Sequence, residues 1–456
     1  MIKVVHPRVE CNSFLLHFTQ FIELFVDGRF FLVYYQTMKE FIRQYLYDNL
    51  LKQLNGKVNL IQVIIGPRQV GKTTLVLQII KHWKGSTVYE TADQPGTPSI
   101  SWLENAWNKA RSLPKKGKSP TLLVIDEVQK IPQWSGLVKK LFDEDKINKR
   151  DIKVILLGSS SLMMQKGLQE SLAGRFELHK HYQWSFKECQ EYFGLTLSDY
   201  LYFGGYPGGL ELRNDIQRWA RYIRDSLIES VLAKDILLMS PISKPALLRQ
   251  TFLLAVAHPA QIISYQKMLG SLTDAGNVTT IASYLKLLAS SFLVIPLERY
   301  SGSVIRQRGS QPKVITLDSS LISSNNNISK TEFLKDSTWK GRITENAVGA
   351  RLWVEAQKIG GEIFYWRERD REVDFIVKIG NNLLAVEVKS GKGENDFESL
   401  EFFLRKYPKA KGLVVGDVIL NEDTQITRIS LLDIFTKSLD DIYKETYTQG
   451  KFTSGM

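Results

Sequence analysis

The sequence predicts an α/β protein of about three units: a parallel sheet with crossover helices, a mostly helical middle, and a final region of mixed strands and helices. Three observations carry this. The chain has 456 residues, and at roughly 150 residues per domain one compact core is too few. Short apolar runs at 60–65, 121–126 and 153–158 alternate with helical stretches, the pattern of strands buried on both faces. From about Tyr192 to Ser291 the pattern is helical, and strand-like text returns after Gln311. The expected units are 1–37, an N-terminal extension; 38–190, the sheet core; 191–310, a helical region; and 311–456, a last α/β unit. Composition agrees with a globular fold: 43% hydrophobic, 11% aromatic and 24% charged residues exclude a disordered or disulfide-scaffold chain.

Residues 1–37 are aromatic and irregular. Met38 then opens the amphipathic run MKEFIRQYLYDNLLKQL and marks an alternative start; the competing reading is a hairpin, VDGRFFLVYY, turning at Asp27-Gly28. The apolar stretch Phe14 to Tyr35 is broken by His17, Gln20, Glu23, Asp27 and Arg29, so no membrane span is expected. Cys11 and Cys189 show no pairing pattern, which places the protein in a reducing cytoplasm. The 60 Lys and Arg against 48 Asp and Glu give a net charge of +12, a field that attracts polyanions such as nucleic acid.

The string GPRQVGKTT, Gly66-Pro67-Arg68-Gln69-Val70-Gly71-Lys72-Thr73-Thr74, follows a buried strand and opens an amphipathic helix, the context that gives G-x-x-x-x-G-K-[ST] its meaning. Its backbone N–H groups and the helix N-terminus suit ATP phosphates, Lys72 reaches the β- and γ-phosphates, and the Thr73 hydroxyl ligates Mg²⁺. TLLVIDEVQKIP ends a strand in Asp126 and Glu127; Asp126 suits the Mg²⁺, and Glu127 the water that attacks the γ-phosphate. KVILLG leads into Ser159, Ser160 and Ser161, with Ser159 or Ser160 placed to sense the phosphate at the sheet edge, or else to cap the next helix. SLAGRF offers Arg175 as an arginine finger, in cis or across a subunit boundary of an oligomer, or as a structural ion pair.

GPRQVGKTTL, LLVIDEVQKIP, LLGSSS, SLAGR, WSFKE (184–188) and YFGGYPG (202–208), in this order, resemble the prokaryotic AAA-type P-loop ATPases that carry a C-terminal domain of unknown function. The resemblance covers roughly the first half of the chain and implies an ATPase close to the signalling NTPases.

In the middle, IISYQKMLGSLTDAG, NVTTIASYLKLLASS and FLVIPLERYSG read as a helix-turn-helix around Asp274-Ala275-Gly276 followed by a wing. Thr279, Thr280, Ser283, Tyr284 and Lys286 would decorate the second helix and Arg299, Arg306 and Arg308 the wing, groups suited to DNA phosphates or base edges. The alternative is a packing module with Ile281, Leu285, Leu288 and Phe292 as its core stripe. The SSNNNIS tract (323–329) reads as a flexible loop.

Toward the C-terminus, Asp374 sits on one strand and Glu387-Val388-Lys389 on the next, joined by a Gly380-Asn381-Asn382 turn. Period-2 alternation puts Glu387 and Lys389 on one face beside Asp374, with Glu345 on the preceding helix. Two carboxylates and a lysine so placed can hold Mg²⁺ against a phosphodiester. The set resembles the D…ExK core of restriction-endonuclease-like folds, which implies the fold more strongly than cleavage. The six histidines show no zinc-ligand spacing.

Overall fold

The computed structural model describes residues 19–26, 29–36 and 41–449, except 97, 115–116, 118, 159–163, 165–166, 169, 237–241, 243, 273–276, 302–310, 327–328, 390–396 and 418–424. Strands β1 (Thr19–Val26) and β2 (Arg29–Gln36) pair antiparallel, Val26 opposite Arg29. Met38 and the Asp27-Gly28 turn lie outside the described residues. The amphipathic run becomes α1 only from Gln44 to Leu54, where Leu50 and Leu54 are buried.

The first sheet is all parallel, with strand order β4-β5-β6-β3-β7 from β3 (Ile61–Ile65), β4 (Thr87–Thr91), β5 (Thr121–Asp126), β6 (Ile152–Gly158) and β7 (Phe176–Lys180). Helices α2 (Lys72–His82), α3 (Ile100–Ser112) and α4 (Trp134–Ile147) cross between strands. Both faces are covered, which is why the strands are apolar without alternation: Ile155 and Leu157 of β6 pack on the α1–α2 side, Val154 and Leu156 on the other.

The middle begins with α5 (Phe186–Phe193), α6 (Leu197–Phe203), α7 (Pro207–Leu210) and α8 (Ile216–Arg221), which continues in π-helical form over Tyr222–Ile228 and Val231–Ile236. Next come α9 (Pro245–Ala257), β8 (Gln261–Ile262), α10 (Tyr265–Gly270), α11 (Val278–Ser290), β9 (Val294–Leu297) and β10 (Lys313–Thr316). The three strands form an antiparallel sheet of order β8-β10-β9. Asp274-Ala275-Gly276, Arg306 and Arg308 lie outside the described residues. Tyr284 is not a surface group as expected: it is 5% exposed and packs inward with Ile281, Leu285 and Leu288, because its position falls on the apolar stripe of α11.

After α12 (Ser319–Ser323), α13 (Lys330–Lys335) and the long α14 (Ser337–Lys358), the last sheet has order β11-β12-β13-β14-β15. Its strands β11 (Glu362–Glu368), β12 (Arg371–Ile379) and β13 (Asn382–Val388) form an antiparallel meander. Helix α15 (Glu398–Lys406) then leads to the parallel strands β14 (Lys411–Val415) and β15 (Ile426–Ile429), and α16 (Leu431–Thr436) and α17 (Leu439–Gln449) follow. The β12–β13 turn is shorter than expected, Gly380-Asn381 with Gly380 at φ 57°, so Asn382 already pairs with Ile379. The SSNNN part of the asparagine tract is packed rather than loose: Ser323 and Ser324 are buried, and the Asn326 amide donates to Val256 O and Ile322 O. Residues 327 and 328 lie outside the described set. One apolar core runs from the first sheet through the middle to the inner face of the last sheet; a separate cluster around Trp366 and Phe403 covers its outer face. Among the described residues no helix is long and apolar enough to cross a membrane.

Candidate functional site

Between β3 and α2 the chain bends through Gln69 at φ 60° and Gly71 at φ 91°, the alternation that turns successive N–H groups into an anion nest. Gly66 is needed for space: a Cβ there would lie 2.0 Å from His181 O, because the end of β7 closes on the loop through His181 N–H to Ile65 O at 2.7 Å. Lys72, 8% exposed, donates to Gly66 O at 3.0 Å and Pro67 O at 2.7 Å. Burial lowers its amine to about 8, with Glu127 and Asp126 opposing.

Asp126 stands behind Thr73. Its Oδ2 accepts from the Thr73 hydroxyl at 2.9 Å and from Tyr89 OH at 3.0 Å, and its Oδ1 from Glu127 N–H at 2.9 Å. A hydroxyl and a carboxylate brought together in this way are hard oxygen donors of the kind Mg²⁺ takes. Glu127, at φ 54°, is turned toward the loop and accepts from Gln129 Nε2 at 2.5 Å.

Arg68 to Leu75 and Glu127 line one cavity of about 690 Å³, with Asp126 bonded to Thr73 behind them. Its other walls hold Phe41, Arg43, Tyr192 and Phe193, which no motif announced, beside Trp184. Phe41 lies 4.7 Å from Trp184 and 5.2 Å from Tyr192, ring centre to ring centre, and Phe193 joins them. Arg43 reaches both oxygens of Glu188 at 2.7 and 3.0 Å and Tyr182 O at 3.0 Å. The WSFKE string now has physical content. Trp184 Nε1 donates to Val70 O at 3.2 Å, and Ser185 and Glu188 cap α5 reciprocally. Tyr222 OH donates to Gln69 Oε1, and Arg68 pairs with buried Asp235 on the next π-helical stretch. In YFGGYPG, Gly204 sits at φ 71°, where a Cβ would meet Asp318 Oδ1 at 1.9 Å. Asp318 accepts from Gly205 N–H at 2.7 Å.

Ser159 and Ser160 lie outside the described residues. Arg175 pairs with Asp143 of α4 at 2.7 and 2.9 Å and is not among the residues lining the cavity.

Glu345, Asp374, Glu387 and Lys389 do come together in the last unit. Asp374 Oδ2 accepts from Val388 N–H at 2.9 Å, and Lys389 Nζ donates to Glu387 Oε1 at 3.1 Å. Sequence reasoning missed the centre of the group. Lys313 Nζ lies 2.6 Å from Glu345, 3.1 Å from Glu372 and 3.3 Å from Asp374. Burial and then Asp374 push the Glu345 and Glu387 carboxyls up, while Lys313, which burial alone would lower, is held protonated by Asp374, Glu345 and Glu372. These carboxylates do not fit a metal as they stand: an ammonium occupies the position a cation would take. Among the described residues no group of three or more His, Cys, Asp or Glu is placed to hold a metal ion.

Comparison with known proteins bears on each unit. The family profile described as an AAA domain matches residues 58–190. Two described as domains of unknown function, DUF8612 and DUF4143, match 195–332 and 340–433. No curated protein matches the chain. Among solved structures, the RuvB Holliday junction branch migration motor of Thermotoga maritima is similar at 12% identity, over 56% of this chain and 89% of that one, with a TM-score of 0.31. AMPPCP-bound DnaA from Aquifex aeolicus is similar at 17% identity, over 54% and 87%, with a TM-score of 0.29. The profile match, over the residues that build the nest and the acidic strand end, makes residues 58–190 an AAA-type P-loop ATPase domain.

Proposed function

We propose that the protein is a Mg²⁺-dependent ATPase in which ATP is a switch or fuel for work on nucleic acid. One observation carries the reading: Lys72, Thr73 and Glu127 open onto a single cavity, with Asp126 bonded to Thr73 behind them. The Gly66–Thr74 backbone wraps the phosphates, and Lys72 exchanges the carbonyls of Gly66 and Pro67 for phosphate oxygens. Thr73 and Asp126 would hold the Mg²⁺, which when bound neutralises charge on the β- and γ-phosphates. Glu127 leaves Gln129 to orient and deprotonate the attacking water. The aromatic wall of Phe41, Tyr192 and Phe193 suits the adenine ring. Ser159 or Ser160 is proposed as the γ-phosphate sensor. Arg175, paired on the surface with Asp143, is proposed to act as a finger on a neighbouring subunit, in an oligomer.

The nucleic-acid part is supported by α10 and α11 followed by β9 and β10, the element order of a winged helix. Thr279, Ser283 and Lys286 are exposed at helical spacing along one face of α11. DNA in a cytoplasmic setting is the proposed partner, and +12 the long-range field. The last unit is read as restriction-endonuclease-like because a long helix, a three-stranded meander and a crossover helix bring Glu345, Asp374, Glu387 and Lys389 together. A regulatory switch with a structural last unit, and an ATP-coupled nuclease, are the rival readings.

ATP turnover with and without DNA, in wild type, Lys72→Ala, Glu127→Gln and Asp374→Ala, tests the proposal. DNA-stimulated turnover abolished by the first two and kept by the third is expected. Full turnover in Lys72→Ala would overturn the ATPase reading, and Mg²⁺-dependent cleavage lost in Asp374→Ala would favour the nuclease.

A further inference from the structure

Lys313 belongs to β10, the central strand of the three-stranded sheet, where it is registered against Leu297 and Ile262. Its side chain nevertheless ends in the last unit, wholly buried, among Glu345 of α14 and Glu372 and Asp374 of β12, with the Phe375 ring 5.1 Å below the ammonium. An ammonium and a set of carboxylates are each costly to bury alone, and each offsets the cost of the other when the contacts are this close. Two of the carboxylates that Lys313 touches, Glu345 and Asp374, belong to the set a divalent cation would need, and the third member, Glu387, is held by Lys389.

The contacts around Lys313 fasten β10 and the chain that follows β9 to the last unit. Asn346, next to Glu345, grips the Thr316 backbone on both sides, its amide donating to Thr316 O and its oxygen accepting from Thr316 N–H, each at 2.8 Å. Tyr365 OH of β11 donates to Gln311 O at 2.5 Å, and the Tyr365 backbone bonds Tyr300 N–H at 2.6 Å and Glu298 O at 3.2 Å.

We propose that Lys313 is the resident cation of the carboxylate cluster: a fixed ammonium stands where a divalent metal would otherwise sit, and the cluster fastens the middle unit to the last sheet instead of cutting nucleic acid. The proposal stands whether or not the P-loop turns over ATP.

Two measurements on the full chain test it. In an Asp126→Asn background, which removes the P-loop carboxylate, nucleotide-free protein is titrated with Mn²⁺ and free Mn²⁺ is read by electron paramagnetic resonance. No site with Kd below about 1 mM is expected while Lys313 is present; a site that is lost on Asp374→Asn would overturn the proposal. Thermal unfolding of Lys313→Met is expected to show Tm lower by about 3–5 °C, with most of the loss recovered when Glu345→Gln and Glu372→Gln are added. An unchanged Tm, or no recovery in the triple variant, would also overturn it. Should Lys313→Met fail to fold, a folded triple variant is itself the recovery.

Discussion

Arg68 of the nucleotide loop and Asp235 of the π-helical segment form a two-point ion pair, Nε to Oδ2 at 2.7 Å and Nη2 to Oδ1 at 2.5 Å, with Asp235 3% exposed. The loop is therefore held from outside, by a residue 167 positions later in the chain. Asp235→Asn is expected to cost about 1–3 kcal/mol in urea unfolding and to weaken ATP several-fold, because Arg68 and Gln69 lose part of their anchor. Wild-type values for both would show that the pair positions nothing.

Lys72 gives a pH dependence with a definite sign. Burial holds its amine down to about 8 from the ordinary 10.5, so in the ligand-free protein the proton leaves as pH passes 8, whereas bound polyphosphate keeps it. ATP affinity should be flat near pH 7 and fall above about 8, by at most about tenfold per pH unit. Between 8 and 10.5 the unfolded chain holds the extra proton, so stability itself rises with pH across that window. Titration with a fluorescent ATP analogue from pH 6.5 to 9.5 reads the slope. Lys72→Arg should bind more weakly and show no slope, since its guanidinium stays charged.

Glu127 is placed to act on water rather than on the nucleotide, so Glu127→Gln should retain ATP and lose about 10²-fold or more in kcat. A single-turnover experiment separates the two. Gln129→Ala, which removes the group that holds the carboxylate at 2.5 Å, should change kcat by far less.

Gly204 combines a left-handed backbone with a contact that leaves no room for a methyl group. Gly204→Ala should destabilise by about 2–4 kcal/mol, displacing Asp318 from the Gly205 N–H and from the Ser320 N–H that it caps at 3.0 Å. A change below about 0.5 kcal/mol would mean that the segment rearranges freely.

If α11 meets DNA, Lys286→Ala should lower the salt slope of retention by about 1 and weaken all sequences alike. Tyr284→Phe should leave retention unchanged, because that ring is buried and its hydroxyl meets Lys244 O at 3.4 Å.

What the sequence made legible was local. Gly66 to Thr74 and Asp126-Glu127 could be read because a nest and a strand end are built from neighbours, and the alternation across β12 and β13 put Glu387 beside Asp374 for the same reason. The long-range pairings of Arg68, Lys313 and Arg43 could not be read. Their partners Asp235, Glu345 and Glu188 are 167, 32 and 145 positions away, and nothing in KVIT marks a lysine that will be buried. Tyr284 was misjudged because tyrosine suits either face of a helix, while its position falls on the apolar stripe with Ile281, Leu285 and Leu288.

Strand β10 is held in common. It closes the β8-β10-β9 sheet with its backbone and the last unit with the Lys313 side chain and the Thr316 peptide, so there is no seam at which to divide the chain. A fragment starting at 311 would carry β10 without β8 and β9, exposing a row of unpaired peptide groups. One ending at 332 would carry the ammonium without its acids. Dissection by truncation would then report on damaged halves, and the two units are better studied by point substitution in the intact protein.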